Sequence, residues 1–270
     1  MEAKGHAGGA IRVGIGGWTF APWRGLFYPE KLPAKRELEH ASRRLTAIEI
    51  NGTFYRSQGP KSFAKWREET PEDFVFTVKG HRAVVNAKKL AEAGGAVDWF
   101  FKSGVTELKE KLGPLLWQLA PFKKFDAADI DGFLALLPKE VGGLPLRHAL
   151  EVRSKSFLVP EFAELAAKHG VAIVFADSDT HPAIADVTAD FAYLRLQKAA
   201  ADIETGYSSA DLDIWAERAK TWATGGAPEG LPKIGNGVPK KTKRDVFVFF
   251  IAAAKERNPA AAEALIRRLG

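Results

Sequence analysis

The sequence predicts an α/β fold, a single (β/α)₈ barrel of TIM type, and three observations carry that prediction. Eight short apolar runs recur along the chain. Helical patterns fall between most of them, and a strand–helix–strand rhythm returns each strand to the same end, so the strands are parallel. The length of 270 residues suits one such barrel. An open doubly wound sheet is the competing architecture, but Gly14, Gly16 and Gly17 do not give the glycine-rich phosphate-loop spacing expected after its first strand.

The runs, in order, are Ile11 to Ile15, Leu45 to Ile50, Phe74 to Val78, Leu115 to Leu119, Leu146 to Val152, Val171 to Phe175, Phe191 to Leu196 and Val246 to Ile251. Each is of strand length and rich in β-branched, leucine or aromatic residues. Helices are expected at Lys35 to Arg44, Pro60 to Glu69, Val97 to Leu112, Ala127 to Leu137, Pro160 to His169, a weaker piece at Pro182 to Val187, Ser209 to Trp222 and Asn258 to Leu269. Pro60 and Pro160 open helices where proline is tolerated, and Gly170 is placed to end one. Ser209 or Asp211 is the expected cap of the seventh helix and Asn258 that of the last, with Pro259 in its first turn. The barrel is expected over 11–270. Met1 to Ala10 is small and polar, without the apolar stretch of a signal peptide, and reads as a frayed tail. Residues 225–244, rich in glycine, proline and lysine, read as a long loop ending in Lys240, Lys241, Lys243 and Arg244 at the bottom of the barrel.

Composition narrows the function. The chain contains no cysteine, which excludes disulfides and thiolate metal sites and suits a cytoplasmic protein. Its richest apolar run, Val246 to Ala254, is far shorter than the roughly 20 residues of a membrane span, so no membrane partner is expected. The net charge of +6 suits acidic partners, whether a small anion or nucleic acid, and is equally a dispersed solubility charge. Nothing in the sequence fixes an oligomeric state.

Position is more informative. In a barrel enzyme the functional side chains sit at the C-terminal ends of the strands. Here those ends carry Trp18; Glu49 and Asn51, with Tyr55 beyond; Lys79, followed by His81 and Arg82; Gln118; Glu151 and Arg153; Asp177; and Tyr193, Arg195 and Gln197. Alternation puts Glu49 with Asn51, Glu151 with Arg153, and Tyr193 with Arg195 on common sides. Glu49, Lys79, Glu151, Arg153 and Arg195 are therefore expected to converge. Burying that many charges is costly unless they are paired. A closed salt-bridge network is the structural alternative to a ligand site.

Two carboxylates suit acid–base chemistry, and three cations beside them suit a phosphate or carboxylate. Glu49, Glu151 and Lys79 are the candidate catalytic groups. Trp18, Asn51, Tyr55, Gln118, Arg153, Asp177, Tyr193 and Arg195 are the candidate substrate-binding groups. No His-Glu-x-x-His spacing or nucleophile elbow is present, and no metal site is assigned. Mg²⁺ or Mn²⁺ on Glu49, Glu151 and Asp177 is the alternative, and no other cofactor is indicated.

These residues also carry a resemblance. Gly14-Ile15-Gly16-Gly17-Trp18, Trp23 to Pro29, Glu49 to Tyr55, Trp66, Thr70-Pro71, Phe74 to Lys79, Leu112 to Leu119 with Pro121-Phe122, Glu151-Val152-Arg153, Asp177 and Phe191 to Leu196 resemble the domain of unknown function 72 family, also called YecE-like. The resemblance spans nearly the whole chain and implies a TIM-type barrel, with no activity attached. The family often continues Glu-Val-Arg with histidine, where Ser154 stands here, and Arg-Leu with His-Gly, where Gln197-Lys198 stand. Its eighth strand often ends in asparagines, where Ile251-Ala252-Ala253 follow Phe250. These positions offer no histidine as base or metal ligand.

The expected function is binding or turnover, of hydrolase or isomerase type, of a small anionic or sugar-like substrate at the mouth. A nucleic-acid-binding or nucleic-acid-processing barrel and a non-catalytic partner-binding protein are the alternatives.

Overall fold

In the computed structural model, which describes residues 9–237 and 241–270, eight parallel strands close into a barrel in chain order. They are Ile11–Gly16, Ala47–Ile50, Val75–Lys79, Leu112–Gln118, His148–Glu151, Ala172–Asp177, Phe191–Leu196 and Asp245–Phe250. The eighth pairs with the first, Phe250 opposite Ile15, and no barrel strand is left as an edge.

Alternation along the strands creates two cores. Side chains of one parity, among them Ile48, Phe76, Trp117, Leu150, Phe175 and Val248, pack outward against the helices. Those of the other parity, Ala47, Leu116, Ala149, Ala172, Val174, Phe191, Tyr193, Phe247 and Phe249, fill the barrel interior. Barrel closure at eight strands leaves an interior just wide enough for such filling.

The helices Pro60–Glu68, Ala127–Leu136, Pro160–His169, Ser209–Ala223 and Asn258–Leu269 lie close to the expected bounds. Gly170 ends its helix in the left-handed conformation at φ +68°. Elsewhere local detail corrects the sequence reading. The first helix is a 3₁₀ turn, Ala34–Arg36, running into Glu37–Ser42. The expected helix over 97–112 is Gly94–Lys102, after which Gly104 turns at φ +97° and a 3₁₀ segment, Val105–Lys111, leads into the fourth strand. The fifth strand is shorter than expected, because an antiparallel hairpin, Glu140–Val141 with Leu144–Pro145, turns through Gly142 and Gly143 just before it. That Gly-Gly pair between short apolar stretches was a hairpin signal.

Residues 182–187 form no helix. That stretch is held instead by Asp186, whose carboxylate accepts from the backbone N–H groups of Ile234 and Gly235. Ser208, not Ser209 or Asp211, caps the seventh-strand crossover helix by accepting from the Asp211 N–H. Arg257 occupies the cap position of the last helix, and Asn258 is its first residue, its side-chain amide donating to the Ala252 carbonyl.

Residues 1–8 of the expected tail, and Lys240 of the basic run, lie outside the described residues. Gly9 and Ala10 are tied down, donating to the Ala223 carbonyl and the Asp245 carboxylate. Arg244 turns inward and donates to the carbonyls of Trp222 and Gly226, so it serves the fold and not a basic surface. Among the described residues no helix is long and apolar enough to cross a membrane.

Candidate functional site

The last inward-facing layer at the C-terminal end of the barrel is ionic. Glu49 of the second strand and Glu151 of the fifth are both 0% exposed, and Arg195 of the seventh lies between them. Arg195 Nε and Nη2 donate to the two oxygens of Glu49 at 3.1 and 3.0 Å, and its Nη1 donates to Glu151 Oε2. Each carboxylate also accepts from other neighbours. Glu49 Oε2 accepts from the Tyr193 hydroxyl at 2.7 Å. Glu151 Oε1 accepts from Gln118 Nε2 and Arg153 Nε, each at 2.9 Å.

Electrostatics follow from this packing. Burial opposes ionisation of Glu151, but Arg195 and Arg153 overcome it and hold the carboxyl down at about 2. Burial likewise opposes the Arg195 charge, and Glu151 and Glu49 more than compensate, pushing it above its ordinary range. Burial and the neighbouring Glu49 raise Tyr193 well above a normal phenol.

Lys79, at the end of the third strand, stands apart from this pairing. It is 8% exposed. Its ammonium donates to Gln118 Oε1 at 2.7 Å and sits 4.4 Å from the centre of the Phe54 ring. Among the described residues no carboxylate lies within ion-pair distance of it. Burial and Arg195 lower it to about 8. The charged side chains gathered at this end of the barrel are two carboxylates, Glu49 and Glu151, and three cations, Lys79, Arg153 and Arg195.

A cleft of about 280 Å³ opens on the side of the first and second strands, lined by Gly16, Trp18, Asn51, Trp66 and Lys255 among others. Trp18 and Trp66 meet edge to face at 5.1 Å. The Tyr28 hydroxyl donates to the Trp18 carbonyl at 2.6 Å, and Trp23 Nε1 donates to the Lys255 carbonyl at 2.9 Å. The Trp23–Tyr28 segment therefore anchors both walls of the cleft. Gly16 leaves room for Asn51 here, since a Cβ would lie 2.7 Å from Asn51 Nδ2 and push that side chain aside.

Glu49, Lys79, Gln118, Glu151, Arg153 and Arg195 come together as expected from strand parity. Of the expected set, Asp177 and Tyr55 stand apart from this group, and Tyr193 joins it from below. Asp177 has the outward parity of Ile173 and Phe175, and it pairs with Lys198 at 3.3 Å, while Ala176 takes the inward position. Tyr193 is one layer deeper, fixed between Thr77 and Glu49. Tyr55 is 68% exposed and touches Phe54 on the rim. With Asp177 outside and the oxygens of Glu49 and Glu151 occupied, the alternative of a divalent-metal cage on these three carboxylates is not assembled. Among the described residues no three metal-ligating side chains group together.

Lys255 and Trp66 were not among the expected site residues. Neither sits on a barrel strand, so parity carries no signal for them.

This fold and this mouth define a TIM-type barrel protein with an ionic layer at the C-terminal end of its strands and a small open cleft beside the first and second of them. The chain belongs to the family described as protein of unknown function DUF72, whose profile matches residues 12–270. It is 27% identical over 162 residues to the UPF0759 protein YunF of Bacillus subtilis (strain 168), covering 57% of this chain and 54% of that protein. It is also 27% identical over 140 residues to the UPF0759 protein YecE of Escherichia coli (strain K12), covering 51% and 48%. The chain thus spans about half the length of the curated relatives it matches. Among solved structures, a DUF72 family protein from Thermotoga maritima aligns with a TM-score of 0.70 at 24% identity, over 95% of this chain and 97% of that one. One from Enterococcus faecalis V583 aligns at 0.70 and 16% identity, over 96% and 95%. At those identities the likeness bears on the fold alone.

Proposed function

We propose that the chain binds and turns over a small anionic ligand, phosphate- or carboxylate-bearing or sugar-like, at the C-terminal mouth of the barrel. The observation that carries this reading is Lys79. A nearly buried ammonium without a carboxylate partner is an unusual expense for a fold to maintain, and it is answered when an anion arrives. Arg153, 24% exposed at its side chain, adds a second cation at the same place.

The roles of the groups follow their exposure. Glu49 and Glu151 act through Arg195 as positioning residues, because neither reaches the mouth. Lys79 is the group able to exchange a proton near neutral pH, so hydrolytic or isomerising turnover would run through it. We infer a cytoplasmic setting, which the cysteine-free composition suits.

Titration calorimetry with inorganic phosphate tests the reading. Lys79 is charged below about pH 8, so affinity is held at pH 7 and falls as pH rises through 8. We expect at least tenfold weaker binding at pH 9.5, and loss of binding in Lys79→Met. Equal binding by the variant, or none by the wild type to phosphate or acetate at pH 7, removes the reading. The nucleic-acid alternative draws less support, since Arg244 is committed to the fold. Anisotropy with a labelled oligonucleotide at rising salt checks it. A non-catalytic partner-binding role would suit a mouth filled by its own side chains. The ionic layer is filled in that way, but the cleft beside the first and second strands remains open.

A further inference from the structure

Three polar side-chain atoms beyond the strand ends are buried without a hydrogen-bond partner: Asn51 Oδ1, His181 Nδ1 and Gln197 Nε2. They follow the second, sixth and seventh strands, so they stand on different sides of one mouth. Buried polar groups are nearly always satisfied. Three left over at the same end of the barrel call for a ligand that satisfies them.

Each is held where it is. Asn51 donates through Nδ2 to the Glu49 carbonyl at 3.5 Å and is hemmed in by Gly16. Whichever way its amide is turned, one end is left over. Gln197 extends the inward parity of Tyr193 and Arg195, and its backbone N–H donates to the Asp177 carbonyl at 3.0 Å. His181 lies within electrostatic range of Arg153, Glu151 and Arg195; burial and Arg153 hold it below its ordinary value, so it is neutral at pH 7. An amide oxygen, an amide nitrogen and a neutral imidazole nitrogen neither supply nor demand charge. They accept from and donate to hydroxyls.

The size of the opening points the same way. The cleft beside the first and second strands, which has Asn51 in its lining, holds about 280 Å³, just under the usual ligand-pocket range of about 300–1,000 Å³, and so takes a ring of monosaccharide size and not a polymer. Trp18 and Trp66 give it an apolar wall, of the kind against which a sugar ring packs.

We propose that the ligand is a hydroxylated anion of monosaccharide size, a sugar phosphate or sugar acid, whose charged group meets Lys79 and Arg153 and whose hydroxyls meet Asn51, His181 and Gln197. This inference rests on the anion-binding reading above and adds the chemistry of the rest of the ligand. A plain phosphate or a short unsubstituted carboxylate leaves all three neutral groups unanswered.

Calorimetry at pH 7 with ethyl phosphate, glycerol 1-phosphate, ribose 5-phosphate and gluconate tests it on the full chain. Ethyl phosphate and ribose 5-phosphate carry the same anionic group and differ in hydroxyls. Ribose 5-phosphate is expected to bind at least tenfold tighter, a difference of about 1.4 kcal/mol. In Asn51→Leu and Gln197→Leu the ratio of the two affinities should collapse toward one. The wild-type ratio is decisive without any variant, so a variant that fails to fold does not spare the proposal. Equal binding of the two phosphates by the wild type leaves the anion-binding reading standing and overturns this one. Failure of both to bind overturns the anion-binding reading itself. A ratio unchanged in both folded variants also overturns the assignment.

Discussion

Arg195 spends all three of its guanidinium nitrogens on two carboxylates from opposite sides of the barrel. Removing one partner of such a buried set strands the charge left behind. Glu151→Gln is therefore expected to lower unfolding stability by about 3 kcal/mol, read as a shift in urea midpoint at unchanged slope. His148 gives a second residue-scale prediction. Its Nδ1 accepts from Trp117 Nε1 at 3.1 Å, and its Nε2 donates to the Pro138 carbonyl, so the ring is buried neutral, and burial lowers it to about 4. As pH falls below the unfolded value of about 6.5, the unfolded chain takes up a proton that the folded chain refuses until about pH 4. Stability should fall in that window by about 1.4 kcal/mol per pH unit. Glu151 works in a lower window: its contribution is full above its ordinary value of 4.5 and is lost as pH falls to about 2. Urea titrations at pH 7.5 and 5.5 separate the two, and His148→Gln, which keeps a donor and an acceptor, should flatten the upper window. Nothing in the local sequence marks the partner of His148, Trp117, which lies 31 residues away on the neighbouring strand.

At the scale of elements, the ends of strands and helices hold the conformational cost. Gly170 closes its helix at φ +68° with open space where a Cβ would go. Gly170→Ala is thus expected to lose about 1 kcal/mol from backbone strain alone, with no change in packing. The opposite holds after the eighth strand, where Ala252 and Ala253 sit at φ +58° and +45°. Ala252→Gly or Ala253→Gly should raise stability by roughly 1 kcal/mol, measured by thermal or urea unfolding. A loss in both would show that the methyl groups pack in a way that outweighs the strain. Strand parity was legible in the second, third, fifth and seventh strands because hydrophobic and polar residues alternate visibly there. It failed at the sixth, an apolar run in which nothing marks Asp177 as outward. The segment at 182–187 misled for a related reason. Its helical pattern is weak, and the contact that holds it, Asp186 to Ile234 and Gly235, spans nearly 50 residues.

The molecule as a whole is organised by closure. With every barrel strand bonded on both sides, no strand can leave without opening its neighbours. Val248 lies in the eighth strand between Val13 and Leu194, and Val248→Pro removes a ladder donor and clashes at the seam. We expect that variant to lose cooperative folding altogether. In the wild-type protein, native-state hydrogen exchange should protect the first, seventh and eighth strands to the same global free energy. Separate, lower protection of the eighth strand would show that it opens as an independent unit.

The sequence by itself determined the barrel, the two faces of most strands, and the convergence of Glu49, Lys79, Glu151, Arg153 and Arg195, because local alternation and helix–strand rhythm are properties of neighbouring residues. Only the tertiary structure decided that the carboxylates are a sealed floor under Lys79, that Asp177 faces away, and that Trp66 and Lys255 help form the cleft. Those outcomes depend on which side chains from distant strands take each other's hydrogen bonds, and a pairing of that kind exists only after the ring of strands has closed.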